Sequence, residues 1–356
     1  MIVIAIIQLQ VKYIILNMCK VIGWINKNSK KKREIKTFLQ RYNHFLVKGI
    51  YRSNNTFTQW SLNVNTPQEN ILKEQLYVSK RSTKLYGLFA KIKKAGIRKF
   101  YSIYITGDKT IFPGETILLS RHVGQGKIIS FDRKQILSFY PNPFDMLIDV
   151  QKRSLFPEEY FNLPTLFRID IGSSFYIEQY IFKINYTPYD AFKYVCQTAL
   201  SFQTSGRCKS FNVCNLKLSF NDLEQIIGES TCRDIVGFIE SNSYKRCLNH
   251  GDLYRNNIIF DGKRFYYIDY ELAGNYVFFF DVLYFAMMEF YLFDNSAIVD
   301  MYFQGKLDDY FYKIFNAHGV KYIPSSKKAY FFIMCYEYFF IKYNTKIPDS
   351  LINLIR

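Results

Sequence analysis

The apolar positions of this chain change their period at about residue 100. Before that point the pattern is mixed. Residues 1–25 are apolar-rich, with runs at 2–7, 11–16 and 21–25 broken by Gln8, Gln10, Lys12, Asn17 and Lys20. In residues 34–50, Phe38, Tyr42, Phe45 and Leu46 recur at helical spacing, which predicts a helix with one buried face. Residues 51–83 are polar and irregular, and 85–97 read as a further helix. From 100 the period is two: 100–106, 116–121, 127–131 and 135–140 read as strands, separated by Gly/Asp turns. Residues 144–156 read as a helix, and 166–171 and 175–181 as two more strands around Gly172-Ser173. After 184 helical spacing dominates, at 189–202, 223–227, 231–241 and from 282 onward, interrupted by a loop-and-hairpin segment at 248–274. No repeat of 20–50 residues is visible.

A small antiparallel β lobe with one inserted helix, followed by a mainly helical lobe, predicts a two-lobed α+β fold. The boundaries fall at 1–99 for an N-terminal extension, 100–183 for the β-rich lobe and 184–356 for the helical lobe. A length of 356 residues suits this number of domains, and 49% hydrophobic residues are enough for packed cores.

Charge adds a preference for partners. Lys and Arg number 47 against 30 Asp and Glu, a net +17 that favours phosphates, nucleic acid or an anionic membrane face. No nucleic-acid recognition motif accompanies it, so nucleic acid is not the expected partner. The 30 Tyr and 34 Phe occur beside abundant Lys, Asn and Ile, which fits codon bias as well as an aromatic surface. Two lysines inside residues 1–25 argue against a membrane span, and the order of a secretory signal is absent. The apolar stretch followed by Lys27, Lys30, Lys31, Lys32, Arg33 and Lys36 fits a peripheral anchor on an anionic leaflet. A buried strand or helix followed by a solvated basic loop fits the same residues and is the plainer reading. The seven cysteines form no CxxC pair and lack the clustered spacing of a zinc site, so they read as reduced, packing thiols in a cytoplasmic protein.

The chemistry concentrates in residues 247–285. His250-Gly251-Asp252 lies on a loop, with Asn257 five residues after Asp252. A short strand at 258–260, the turn pair Asp261-Gly262 and a return strand at 265–268 form a hairpin that delivers Asp269 beside Asn257. An amide oxygen and a carboxylate brought together are hard ligands that suit Mg²⁺, which shares substrate phosphates. Asp252 is then left to accept a proton from a hydroxyl nucleophile, as phosphoryl transfer requires.

This stretch resembles the catalytic core of the protein-kinase-like small-molecule kinases, the aminoglycoside phosphotransferase and choline/ethanolamine kinase group. His250, Asp252 and Asn257 match H-x-D-x-x-x-x-N; Ile268, Asp269 and Glu271 match I-D-x-E; Ala273-Gly274 and Asp281 followed by an apolar helix fit the choline-kinase branch. The resemblance implies an ATP- and Mg²⁺-dependent phosphotransferase acting on a small-molecule hydroxyl. It implies Asp252 as catalytic base, Asn257 and Asp269 as metal ligands, and Glu271 as a further metal or substrate contact. His250 and Asp281 would brace the loop.

The β lobe departs from that pattern. The Lys that the family places on the strand after the nucleotide loop corresponds to Ser138. Residues 135–151 hold no Lys or Arg, and the helix at 144–156 holds no Glu to pair with one. Gly124-Gln125-Gly126-Lys127 offers a replacement, glycines for close backbone approach and Lys127 for the charge, though a plain hairpin turn fits the same residues. The strand at 175–181 resembles the family's hinge, where backbone groups near Gln179 and Ile181 would bind the adenine edge. The alternative function is a catalytically weak or inactive kinase-fold protein that binds nucleotide or an anionic partner.

Overall fold

The computed structural model describes residues 38, 42–53, 59–62, 102–105, 112–120, 124–209, 211–212, 220–242 and 245–356. The apolar stretch at 1–25, the basic run at 27–36 and the helix expected at 85–97 lie outside the described residues. The chain divides into two compact units, one of residues 1–147 and 165–180, the other of 148–164 and 181–356.

The first unit is built on one sheet. Its strands are β1 (Gly49–Ser53), β2 (Gln59–Leu62), β3 (Ser102–Ile105), β4 (Thr116–Leu119), β5 (Gly126–Ser130), β6 (Gln135–Phe139), β7 (Leu166–Asp170) and β8 (Phe175–Gln179). They are ordered β3-β1-β2-β4-β5-β6-β8-β7, and every pair is antiparallel. Alternation decides the faces. Ile128, Leu137, Phe139, Phe175 and Ile177 point into one core, which also takes up Phe38, Tyr42, Phe45 and Leu46. Those last four are the apolar set picked out by helical spacing. Only Phe38 and Tyr42 among them are helical; Asn43–Phe45 tighten into a 3₁₀ turn and the chain then becomes β1. The reading of 34–50 as one helix is corrected here. The reason is non-local: Gly49–Arg52 pair with β3 and Tyr51–Ser53 with β2. The same pairing converts parts of the stretch 51–83, read as irregular, into strands.

The second unit is mainly helical. Helix α1 (Pro143–Ser154) follows β6 and ends in this unit, and α2 (Pro188–Thr204) starts on a capped turn in which Thr187 Oγ1 accepts from Asp190 N at 3.1 Å. Then come β9 (Phe211–Asn212), α3 (Phe220–Ile227), α4 (Glu229–Asn242), β10 (Lys245–Asn249), β11 (Ile258–Phe260), β12 (Phe265–Tyr267) and β13 (Gly274–Val277). They are followed by α5 (Phe280–Phe293), α6 (Ala297–Phe303), α7 (Asp308–Ala317), α8 (Lys327–Tyr336), a π-helical turn at Glu337–Lys342 and α9 (Asp349–Ile355). Helix α5 is buried on every side from Phe280 to Glu289, which explains why its sequence is apolar all round. Strand β10 is the middle of the small sheet β13-β10-β9, and β11 and β12 form a separate hairpin. No helix among the described residues is long and apolar enough to cross a membrane.

Candidate active site

Strand β10 ends at Asn249 and hands the chain to His250, Gly251 and Asp252. Two contacts shape this loop. Asp281, in the first turn of α5, accepts the backbone N–H of His250 at 2.7 Å and of Gly251 at 2.9 Å, one on each carboxylate oxygen. Gly251 has φ +77°, and a Cβ there would come within 2.3 Å of the Leu272 carbonyl oxygen, so only glycine fits. Burial pushes the Asp281 carboxyl up to about 6, opposed by those two N–H donors.

His250 lies fully buried with Nε2 3.0 Å from the Ile268 carbonyl oxygen. A carbonyl can only accept, so Nε2 carries the proton. Burial holds the ring neutral, with its pKa pushed down to about 4. The histidine therefore ties this loop to the residue preceding Asp269 and holds no proton that it could exchange near neutral pH.

Asp252 carries the carboxylate of this loop. Tyr284 donates its hydroxyl to Oδ1 at 2.6 Å, and Asn257 Nδ2 donates to Oδ2 at 3.0 Å and to the Asp252 carbonyl at 2.8 Å. Burial lifts its pKa to about 6; the Asp269 charge adds to the rise, while Tyr284, Lys342 and Asn257 oppose it. A carboxylate desolvated to this degree is a stronger base than one in water, yet it remains ionised at pH 7. Tyr284 stands one helical turn from Asp281, so both side chains leave the same face of α5. That spacing was a signal in the sequence, and the motif reading passed over it. Tyr284→Phe is expected to move the acidic limb of the pH–rate profile upward by about one unit, the size of a hydrogen bond of roughly 1.5 kcal/mol to a charged group. An unmoved limb would show that the hydroxyl does not set the basicity of Asp252.

The hairpin forms as its turn chemistry predicts. Asp261 Oδ1 caps the backbone N–H groups of Lys263 and Arg264, both at 2.8 Å, and Gly262 takes φ +95°. Pairing runs Ile258↔Tyr267, and the next rung is closed by Ile268 N–H donating to the Asn257 carbonyl at 3.1 Å. Asp269 follows at once. It is exposed, adopts φ +68° and makes no hydrogen bond among the described residues. Left-handed backbone at a non-glycine residue costs free energy, although Asp tolerates it better than most residues, and it occurs preferentially at functional positions. Asn257 has its amide nitrogen turned to Asp252, which leaves its oxygen as the group to face a cation.

Two lysines that the motifs did not name complete the electrostatics. Lys152, in the last turn of α1, donates to the Glu271 carbonyl. Lys342 ends the π-helical turn, donates to the Gly251 carbonyl at 2.9 Å and lies 4.9 Å from the Tyr276 ring centroid. Burial lowers its pKa to about 8, while Asp252, Asp281 and Glu271 hold it up. Positive charge therefore stands beside the carboxylates although the strand position of Ser138 has none. Lys152 lies one residue beyond the basic-free window 135–151, and nothing local marks Lys342. The pair Arg255–Glu289 sits just upstream of Asn257: Arg255 Nε meets Glu289 Oε1 at 2.7 Å, and Glu289 is fully buried.

The first unit holds the residues expected at the nucleotide. Gly124 and Gly126 lie on the β4–β5 hairpin, closed by Ser120 N–H to the Gln125 carbonyl at 2.9 Å. The identity of Gly126 is explained by packing, since a Cβ there would meet the Leu118 carbonyl oxygen at 2.3 Å. Lys127 is the direct cross-strand partner of Ser138, so both side chains leave the same face of the sheet. Ser138 Oγ is buried with no hydrogen-bond partner among the described residues. Lys134, at φ +51°, is exposed in the β5–β6 turn. The Gln179 N–H is taken up by the Thr165 carbonyl at 2.8 Å, which withdraws that donor from any ligand. In the second unit, Ile181 has no backbone hydrogen bond among the described residues.

Residues 234–313, which contain His250, Asp252, Asn257, Asp269, Glu271 and Asp281, match the model of the phosphotransferase enzyme family APH. The resemblance carried by the two motifs is borne out over that segment. Among solved structures, the choline kinase LicA from Streptococcus pneumoniae aligns with TM-score 0.31 and 14% identity over 61% of this chain and 90% of its own. A choline/ethanolamine kinase family protein from Mesorhizobium loti aligns with TM-score 0.35 and 12% identity over 75% and 82%. An aminoglycoside phosphotransferase from Alicyclobacillus acidocaldarius aligns with TM-score 0.37 and 12% identity over 66% and 85%. No curated protein matches the chain by sequence.

Proposed function

We propose that this protein is a phosphotransferase that moves the γ-phosphoryl group of ATP to a hydroxyl of a small molecule. The observation that carries the proposal is Asp252. It is a half-buried carboxylate with a pKa raised to about 6, aimed by Tyr284 and Asn257 and followed along the chain by the free carboxylate of Asp269. In this reading Asp252 Oδ accepts the hydroxyl proton as the acceptor oxygen attacks phosphorus, and the bond to the ADP oxygen breaks. Asn257 Oδ1 and the Asp269 carboxylate are hard oxygen donors that fit Mg²⁺, with Glu271 as a further candidate. Bound there, the ion supplies charge neutralisation for the phosphates. His250 and Asp281 hold the loop and do not react. Gly124, Gly126 and Lys127 serve the phosphates, and Ile181 is the better placed of the two hinge residues to serve the base. Choline, ethanolamine, sugars and aminoglycosides are all admissible acceptors.

A panel of those four acceptor classes with purified protein, ATP and Mg²⁺ tests the reading. Acceptor-dependent ADP release is expected. Lys127→Ala should raise the KM for ATP about tenfold or more, the size of one charge-assisted hydrogen bond, while Lys134→Ala changes it little. Asp269→Ala should abolish the Mg²⁺ dependence of nucleotide binding. Ser138 at the expected lysine position favours a second reading, a nucleotide-binding protein with little turnover. Mg²⁺-dependent ATP binding without ADP release on any acceptor would select it.

A further inference from the structure

Away from the proposed active site, three residues far apart in sequence converge. Cys208 lies just beyond α2, Cys247 is in the middle of β10, and His318 caps the end of α7. Their two Sγ atoms and a ring nitrogen of His318 lie within 4.8 Å of one another. We propose that Cys208, Cys247 and His318 form a zinc site that braces β10, three residues ahead of the loop containing His250 and Asp252.

The histidine is prepared as a ligand. Gln203 Nε2 donates to the Phe278 carbonyl at 2.7 Å, which can only accept, so the orientation of the Gln203 amide is settled. Its Oε1 then faces His318 Nε2 at 3.0 Å, and that nitrogen must carry the proton. The lone pair is left on Nδ1. Metal-bound histidines are held in this way, with the remote nitrogen fixed by a hydrogen bond that sets tautomer and ring angle.

The sulfur atoms are also suited. Cys247 is fully buried and Cys208 half-buried, so the cluster is largely dry. Asn249 Nδ2 lies 3.7 Å from Cys247 Sγ, where it supports a thiolate. Two thiolates and a neutral imidazole around Zn²⁺ make an uncharged unit, which removes the penalty of burying thiolates alone. A tetrahedral ion places such ligands about 3.5–3.8 Å apart, so the three atoms need to draw in by little more than about 1 Å. The fourth position is left to water. Binding releases two thiol protons to solvent, and no electron changes hands. The spacing 208, 247, 318 matches no short metal motif, which is why the sequence suggested ordinary packing thiols.

The reduced full-length protein, incubated with Zn²⁺ and dialysed against metal-free buffer, is expected to retain one zinc per chain by elemental mass spectrometry. Cys208→Ser and His318→Gln should each lose it. Cys208 is partly exposed, so Cys208→Ser is the variant expected to keep its circular dichroism spectrum. Cobalt in place of zinc should give sulfur-to-metal charge-transfer absorption in the wild type and not in Cys208→Ser. Two outcomes would overturn the site: zinc retention equal in wild type and Cys208→Ser, or a Cys208–Cys247 disulfide whose reduction yields no zinc uptake. Either result leaves the phosphotransferase reading untouched, because none of the three residues belongs to it.

Discussion

Asp252→Asn is expected to lower kcat by about a hundredfold or more, the usual contribution of a positioned general base. The substitution keeps the shape of the side chain and an oxygen for the Tyr284 hydroxyl, which now donates at 2.6 Å. It removes the basic lone pair and places an amide N–H opposite Asn257 Nδ2, now 3.0 Å from Oδ2. Nucleotide binding should persist, since Asn257 and Asp269 are unchanged. In the wild type, kcat/KM should fall tenfold per pH unit below about 6, where the carboxylate takes up its proton. The stability term has the opposite sign. An acid whose pKa is raised on folding destabilises the native state when ionised, so this group's contribution improves as pH drops from about 6 towards the unfolded value of 3.8. Asp252→Asn should therefore unfold at no lower temperature than the wild type at pH 7. A variant with wild-type kcat would remove Asp252 from the mechanism.

Arg255→Ala is expected to destabilise the second unit by about 3–5 kcal/mol, because it strands a buried carboxylate. Glu289 is fully buried and takes its main compensation from Arg255 Nε at 2.7 Å and from a second guanidinium nitrogen; Asn295 Nδ2 adds one donor at 3.0 Å. The guanidinium also lies 3.9 Å from the Phe293 ring centroid, so packing is lost with the charge. The double variant Arg255→Met/Glu289→Leu removes both charges and should recover most of the loss, since an apolar pair of similar volume needs no desolvation. Urea unfolding of the three proteins decides the matter. Equal midpoints for Arg255→Ala and the wild type would show that Glu289 is not held by this pair. Arg255 also opens the turn that carries Asn257, so the double variant tests whether the ion pair is needed for activity once stability is restored.

What could be read from the chain alone was whatever depends on neighbours in sequence. Alternation marked β4, β5, β6 and β8, because a strand shows its two faces within five residues. Helical spacing marked α2, α4 and α5. Asp261-Gly262 announced the hairpin, because that turn is closed by the Asp side chain on its own backbone. The order of His250, Asp252, Asn257 and Asp269 around that hairpin was likewise local, and so the core of the candidate site was legible. The tertiary structure decided everything that rests on contacts between distant segments. It made strands of β1 and β2 where the sequence read as the end of a helix and an irregular stretch, since strand pairing overrides weak local preference. It brought Lys342 to the carbonyl of Gly251, 91 residues away in sequence, and Tyr284 to Asp252. It lifted Asp252 to about 6, a property of burial that no composition reveals. It also gathered Cys208 from beyond α2, Cys247 from the middle of β10 and His318 from the end of α7. Periodicity and turn chemistry act over a few residues, whereas desolvation and ligand geometry exist only once the chain has closed on itself.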